Sequence, residues 1–120
     1  YGTLTLAEIA SMCNVTAATL DFEVDFRQSN DEATLIGWLH EAGKSDLPVI
    51  MNPAAFTHYS IAIRDAAAML TAPLIEVHIS NPIAREDFRH TSFISGIAKG
   101  TISGFGANSY LLALTALAKL

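Results

Sequence analysis

At the start of the chain Leu6, Ile9, Ala10, Cys13, Ala17 and Leu20 recur at the three- and four-residue steps that gather apolar side chains on one helical face. Thr5-Leu6-Ala7-Glu8 precedes that stripe with the form of a capping box, in which a hydroxyl and a carboxylate satisfy two unpaired backbone N–H groups. Phe22-Glu23-Val24-Asp25-Phe26 then alternates apolar and acidic side chains as a short strand does, and it gives way to polar Arg27-Gln28-Ser29-Asn30. Ser29 with Glu32 predicts a second capping box, ahead of a helix carrying Leu35, Trp38, Leu39 and Ala42 and ending near Gly43. Pro48-Val49-Ile50-Met51 suits a strand buried on both faces and breaks at Asn52-Pro53. A third helix holds Ile63, Ala66, Ala67 and Leu70. Leu74–His78 and Gly100–Gly104 read as strands, and Leu111, Leu114 and Ala118 mark a closing helix.

Strands alternating with amphipathic helices predict a doubly wound α/β fold, a parallel sheet covered on both faces. A helix in this class normally crosses over from a preceding strand, so a strand is expected upstream of Tyr1. The 120 residues are expected to form one domain.

Composition narrows the function classes. Only 16% of residues are charged, against about 25% in an average soluble domain, while 51% are hydrophobic, which points to buried subunit contacts. Twelve acidic against seven basic residues give a net charge of −5 and argue against nucleic acid or an anionic membrane as partner. No apolar run approaches the roughly 18 to 20 residues of a membrane helix. The single cysteine, Cys13, lies on the apolar stripe of the first helix and reads as a small core residue, which suits a reducing cytoplasm. Asn14-Val15-Thr16 is then a chance sequon.

In open α/β sheets ligands bind beyond the carboxyl ends of the strands. Here those ends carry Arg27-Gln28-Ser29, Asn52 and His78-Ile79-Ser80-Asn81, so an amide, an imidazole and a hydroxyl are expected at one rim. His78 is a candidate general acid or base, since imidazole titrates near neutrality. Glu76, two residues earlier, shares its strand face and either orients the ring or is only a satisfied edge charge. His58 is read as opening a helix, where it either donates to an anionic ligand or caps the helix; His40 and His90 read as surface residues. Arg85 and Arg89, beside Glu86 and Asp87, have the pattern of a solvated helical face. His58 and His78 form no zinc signature, and no cysteine or carboxylate pair completes a tetrahedral set, so no metal is expected. Neither a Gly-x-Ser-x-Gly elbow nor a Gly-rich phosphate loop occurs, and Gly104-Phe105-Gly106 reads as a tight turn.

Phe26-Arg27-Gln28-Ser29-Asn30, Asn52-Pro53-Ala54-Ala55-Phe56-Thr57-His58, Ile63-Arg64-Asp65-Ala66, Pro73 through Asn81 and Arg85-Glu86-Asp87-Phe88-Arg89 together resemble the successive signatures of type II 3-dehydroquinate dehydratases. The turn at Gly104-Phe105-Gly106 leading to Ser109-Tyr110-Leu111-Leu112-Ala113-Leu114 closes the chain as in that family.

The resemblance implies a flavodoxin-like fold and a cofactor-free lyase that converts 3-dehydroquinate to 3-dehydroshikimate by anti elimination through an enolate, in the shikimate pathway or in quinate breakdown. By the same resemblance Tyr1 is the base that takes the C2 proton. His78 is the acid at the C1 hydroxyl, Glu76 holds its ring, and Asn52 binds a water or the enolate oxygen. His58 and Arg89 contact ring hydroxyls, Ile79 and Ser80 receive the carboxylate, and Asp65 reaches a neighbouring subunit's site. The family assembles as trimers packed into a dodecamer. Its members begin with a central strand, an Asn-Gly-Pro-Asn-Leu turn and an arginine-bearing lid, none of which precedes Tyr1. The first strand and most of the lid are therefore expected upstream, and residues 1–120 alone are expected not to fold stably. The competing reading is a non-catalytic flavodoxin-like binding domain or an inactive relative. A response regulator, however, needs acidic strand ends, and a flavin binder needs a phosphate loop.

Overall fold

The computed structural model of the protein describes residues 3–120. Helix α1 (Leu6–Thr19) begins at the expected capping box, with Thr5 Oγ1 accepting from the Glu8 N–H at 3.1 Å and Glu8 accepting from the Thr5 N–H. Its buried face is Ile9, Cys13 and Ala17, one residue per turn. Helix α2 (Glu32–Lys44) starts differently from the sequence expectation. Asp31, not Ser29, is the N-cap, because its carboxylate takes both the N–H and the hydroxyl of Thr34. Ser29 instead accepts from the Asp31 N–H, and Glu32 bonds the Ser60 hydroxyl.

Three parallel strands, β1 (Val49–Met51), β2 (Leu74–His78) and β3 (Gly100–Ser103), lie in chain order, with Met51 beside Glu76 and His78 beside Ser103. Helix α3 (Ile61–Ala68) joins β1 to β2, and α4 (Asn108–Leu117) follows β3. Side chains alternate across the sheet. Met51 and Leu74 pack with Leu39 of α2 and Ile63, Ala66 and Ala67 of α3, while Ile75 and Val77 pack with Ala113 of α4 on the opposite face. Helices therefore cover both faces, as the doubly wound expectation requires. β2 is central and buried at every position, so its even residues point into the α2–α3 layer and its odd residues into the α1–α4 layer.

The expected strand over Phe22–Phe26 does not form. Its alternation holds, with Phe22, Val24 and Phe26 half-buried against α1 and α4 and the two acids exposed. A strand needs a ladder partner, however, and among the described residues no backbone–backbone hydrogen bond reaches residues 23–30. Arg27 likewise stays away from the strand ends: it pairs with Asp25 at 2.7 Å and Glu41 at 3.0 Å and lies over Trp38.

Candidate active site

Beyond the carboxyl ends of β1 and β2 lies a cleft of about 290 Å³, near the lower end of the roughly 300–1,000 Å³ common for small-molecule sites. Asn52, His58, His78, Ile79, Ser80 and Arg89 all line it, so six of the sequence candidates converge. Glu76 stands behind them. Asp65 does not join: it is exposed on α3 and paired with Arg64 at 3.7 Å. Tyr1 lies outside the described residues.

Glu76 is fully buried, pointing from the middle strand into the α2–α3 layer. An ionised carboxylate there must have every lone pair met. Three donors meet it, Thr57 Oγ1 at 2.5 Å, Ser95 Oγ at 2.6 Å and the His78 ring at 2.6 Å, and Ser92 Oγ, 3.0 Å from the carboxylate and 2.6 Å from Thr57 Oγ1, shares its one proton between the two. Burial on its own raises a carboxyl, but the hydrogen bonds from His78, Ser95 and Thr57 and the His78 charge outweigh it and hold Glu76 at about 2. Glu76 is thus an acceptor only, which places the proton of the shared bond on His78 Nε2 and leaves Nδ1 as the ring nitrogen without a protein partner among the described residues. A second proton on Nδ1 would make the two side chains a buried ion pair.

Asn52 follows the last residue of β1. Its Oδ1 accepts from the Ala54 N–H at 2.9 Å across a turn in which Ala54 takes φ 49°, and its Nδ2 donates to the Tyr110 hydroxyl at 2.9 Å. Burial pushes the Tyr110 phenol above its ordinary value, against the opposing hydrogen bond from Asn52, so it stays protonated at neutral pH.

His58 closes a short 3-10 helix (Ala54–His58) and does not open α3, whose N-cap is Ser60 accepting from the Ile63 N–H. The misassignment arose because Thr57-His58-Tyr59-Ser60 holds several residues that can cap, and the choice is made by which one the chain leaves extended. His58 Nδ1 donates to the Thr91 carbonyl at 2.8 Å, so the neutral ring presents Nε2 as an acceptor, which suits a ligand hydroxyl better than an anion.

Arg85 and Arg89 do not share a helical face. Two short 3-10 helices, Pro82–Ala84 and Asp87–His90, are separated by an extended Arg85, and both arginines line the cleft. Arg85 donates to Ser80 Oγ at 3.3 Å; Arg89 bonds Glu86 and stacks on Phe88. Gly104, at φ 95°, donates its N–H to the His78 carbonyl, and Gly106 donates to Ile79, so the turn after β3 braces the loop that carries Ser80. His90 is also less free than its sequence suggested, with Nε2 on the Arg85 carbonyl at 3.1 Å. Among the described residues no three His, Cys, Asp or Glu side chains converge as metal ligands would.

A hydrogen-bonded acid pair, an amide, a second imidazole, a hydroxyl and two cations around so small a cleft fit a small polyhydroxylated anion and proton transfer to or from it. Comparison with known proteins gives the same direction. The family dehydroquinase class II matches residues 1–118. The chain belongs to the class II dehydroquinase family. It is 54% identical over 120 residues to a 3-dehydroquinate dehydratase of Sinorhizobium medicae, covering all of this chain and 81% of that one. A 3-dehydroquinate dehydratase of Salinispora tropica is 52% identical over 118 residues, 98% of this chain and 82% of its own. The crystal structure of a type II dehydroquinase from Propionibacterium acnes superposes with a TM-score of 0.98 at 47% identity, covering this chain fully and 83% of that chain. Against this class II dehydroquinase background, Thr57, Ser92, Ser95, Arg85 and Tyr110 are the cleft and support residues that the sequence reading left unassigned to the site. Arg85 carried a signal in its spacing from Arg89. Isolated hydroxyls in irregular segments carried none.

Proposed function

We propose that this chain is a hydro-lyase that dehydrates 3-dehydroquinate to 3-dehydroshikimate by anti elimination through an enolate. The dehydratase relatives and the family membership support the reaction. The observation that carries the mechanism is the saturated Glu76 carboxylate bonded to His78 at the mouth of a cleft shared with Asn52.

In this reading Tyr1 takes the C2 proton, and the electron pair of that C–H bond moves into the enolate. The Asn52 N–H holds the enolate oxygen or a water beside it, stabilising charge where it develops. The C1–O bond then breaks as the His78 imidazolium supplies the proton that turns the departing hydroxyl into water, while Glu76 fixes ring and tautomer. Ser80 and the backbone at Ile79 receive the carboxylate. Arg89 and the acceptor nitrogen of His58 receive ring hydroxyls. Residues 1–120 form one dehydroquinase-like domain of a homo-oligomer, a dodecamer built from trimers in which Asp65 reaches a neighbour's site. Exposed Tyr59, Ile61 and Met69 on the α3 flank support such packing. The protein works in the cytoplasm; among the described residues no helix is long and apolar enough to cross a membrane.

The test is stereochemical. 3-Dehydroquinate deuterated at one C2 position is converted, and label retention is read by mass spectrometry. Loss of the hydrogen anti to the C1 hydroxyl is expected; loss of the syn hydrogen sinks the mechanism, and no conversion at all returns the chain to a binding domain or inactive relative.

A further inference from the structure

We infer that Tyr110 is a positioning residue for this reaction, its hydroxyl fixing the Asn52 amide so that one Nδ2–H stays committed to the cleft. The inference rests on the role proposed above for Asn52. An asparagine amide can rotate by half a turn and present oxygen where nitrogen was, at almost no steric cost. Two partners remove that freedom here. The Ala54 N–H can only donate, so it selects Oδ1; Nδ2 is thereby directed at Tyr110, whose oxygen accepts its first hydrogen. Among the described residues the second Nδ2 hydrogen is the side-chain donor of Asn52 left without a partner, and Asn52 lines the cleft.

Tyr110 itself does not line the cleft; it comes from α4, fifty-eight residues along the chain. Its ring is held edge-on to Phe26, with centroids 6.5 Å apart, and packs against both the Ile9–Cys13–Leu114 cluster and the Ile75–Val77 cluster. The apolar part of its work would be done equally by phenylalanine. What the hydroxyl adds is a rigidly mounted acceptor at the end of β1.

Tyr110→Phe, Asn52→Ala and the double variant are compared in steady-state turnover of 3-dehydroquinate, with full chain and at a temperature where melting curves show every protein folded. Tyr110→Phe should lower kcat about tenfold, the effect of one lost hydrogen bond of ~1.4 kcal/mol, with KM changed less than about twofold. In the Asn52→Ala background the same change should cost nothing further, because the group it positions is gone. Wild-type kcat in Tyr110→Phe while Asn52→Ala is impaired overturns the positioning role alone. An undiminished tenfold loss in the double variant also overturns it, since Tyr110 would then act elsewhere. Wild-type turnover in Asn52→Ala removes the role of Asn52 and the inference with it.

Discussion

Replacing Glu76 by glutamine isolates what the buried carboxylate does. The shape is kept, but an acceptor-only group ringed by the His78 N–H and three hydroxyls gains an NH₂ of its own, and the His78 Nε2–H loses a charged partner. Glu76 falls from an ordinary 4.5 to about 2 on folding, which at 1.36 kcal/mol per tenfold is worth ~3 kcal/mol. The sign follows from linkage. The folded value lies below the unfolded one, so the stabilisation is complete above about pH 4.5 to 5 and is lost as pH falls towards 2. Ionisation of Glu76 itself should therefore add no pH dependence to the stability difference between wild type and Glu76→Gln from pH 7 to 6. That difference should shrink by about 2 kcal/mol between pH 6 and 3, the remainder disappearing below. Urea unfolding followed by circular dichroism measures it at a series of pH values and one fixed protein concentration, because assembly shifts apparent stability. The exposed acids whose values are also lowered, Asp25, Asp31, Glu41 and Glu86, are common to both proteins and cancel in the difference. A difference that stays flat down to pH 3 would falsify the assignment of Glu76 as a pre-ionised, hydrogen-bond-saturated carboxylate.

Ser95→Ala removes one of the two shortest hydroxyl contacts to that carboxylate. It should cost roughly 1–3 kcal/mol in urea unfolding and move the acid loss of stability to higher pH; an unchanged acid limb would contradict it. Gly104→Ala forces φ 95° on a residue with a side chain and brings its Cβ to 3.4 Å from Asn81 Cβ. It should destabilise by roughly 1–2 kcal/mol and raise KM through displacement of Ser80, so a wild-type KM would show that the Gly104 turn does not brace the loop. Ile63→Ala, at a side chain with no exposed surface, should cost about 2–5 kcal/mol in the same unfolding assay while leaving KM unchanged in the fraction that stays folded.

What the sequence revealed followed the range of each signal. β2 was legible in full because a short strand-like segment rich in Leu, Ile and Val between Pro73 and polar Ser80-Asn81 has few alternatives, and the i, i+2 relation of Glu76 and His78 placed the pair on one face before any geometry was known. Phe22–Phe26 alternates apolar and acidic side chains and yet makes no strand, because alternation reports which side faces the core, whereas a ladder depends on a neighbour from elsewhere in the chain. The cap at Asp31 and the position of His58 were misread for a related reason: several capping residues stood side by side, and backbone geometry selects among them. Tyr110 was read only as part of the Ser109–Leu114 segment and given no role, since nothing local marks its hydroxyl as the partner of Asn52. The hydroxyls around Glu76 come from Thr57, Ser92 and Ser95 in irregular segments, where no period exists to find them. The resemblance to a known family supplied the reaction; local pattern alone reached only a polar rim.

The central claim is that the Glu76-held His78 ring delivers the proton that releases water. Turnover of 3-dehydroquinate by His78→Ala, followed through the absorbance of the conjugated product, tests it most directly when melting curves show the variant folded. A loss of kcat on the order of 10²–10⁴-fold is expected for a removed general acid. Turnover within about threefold of wild type would contradict the account.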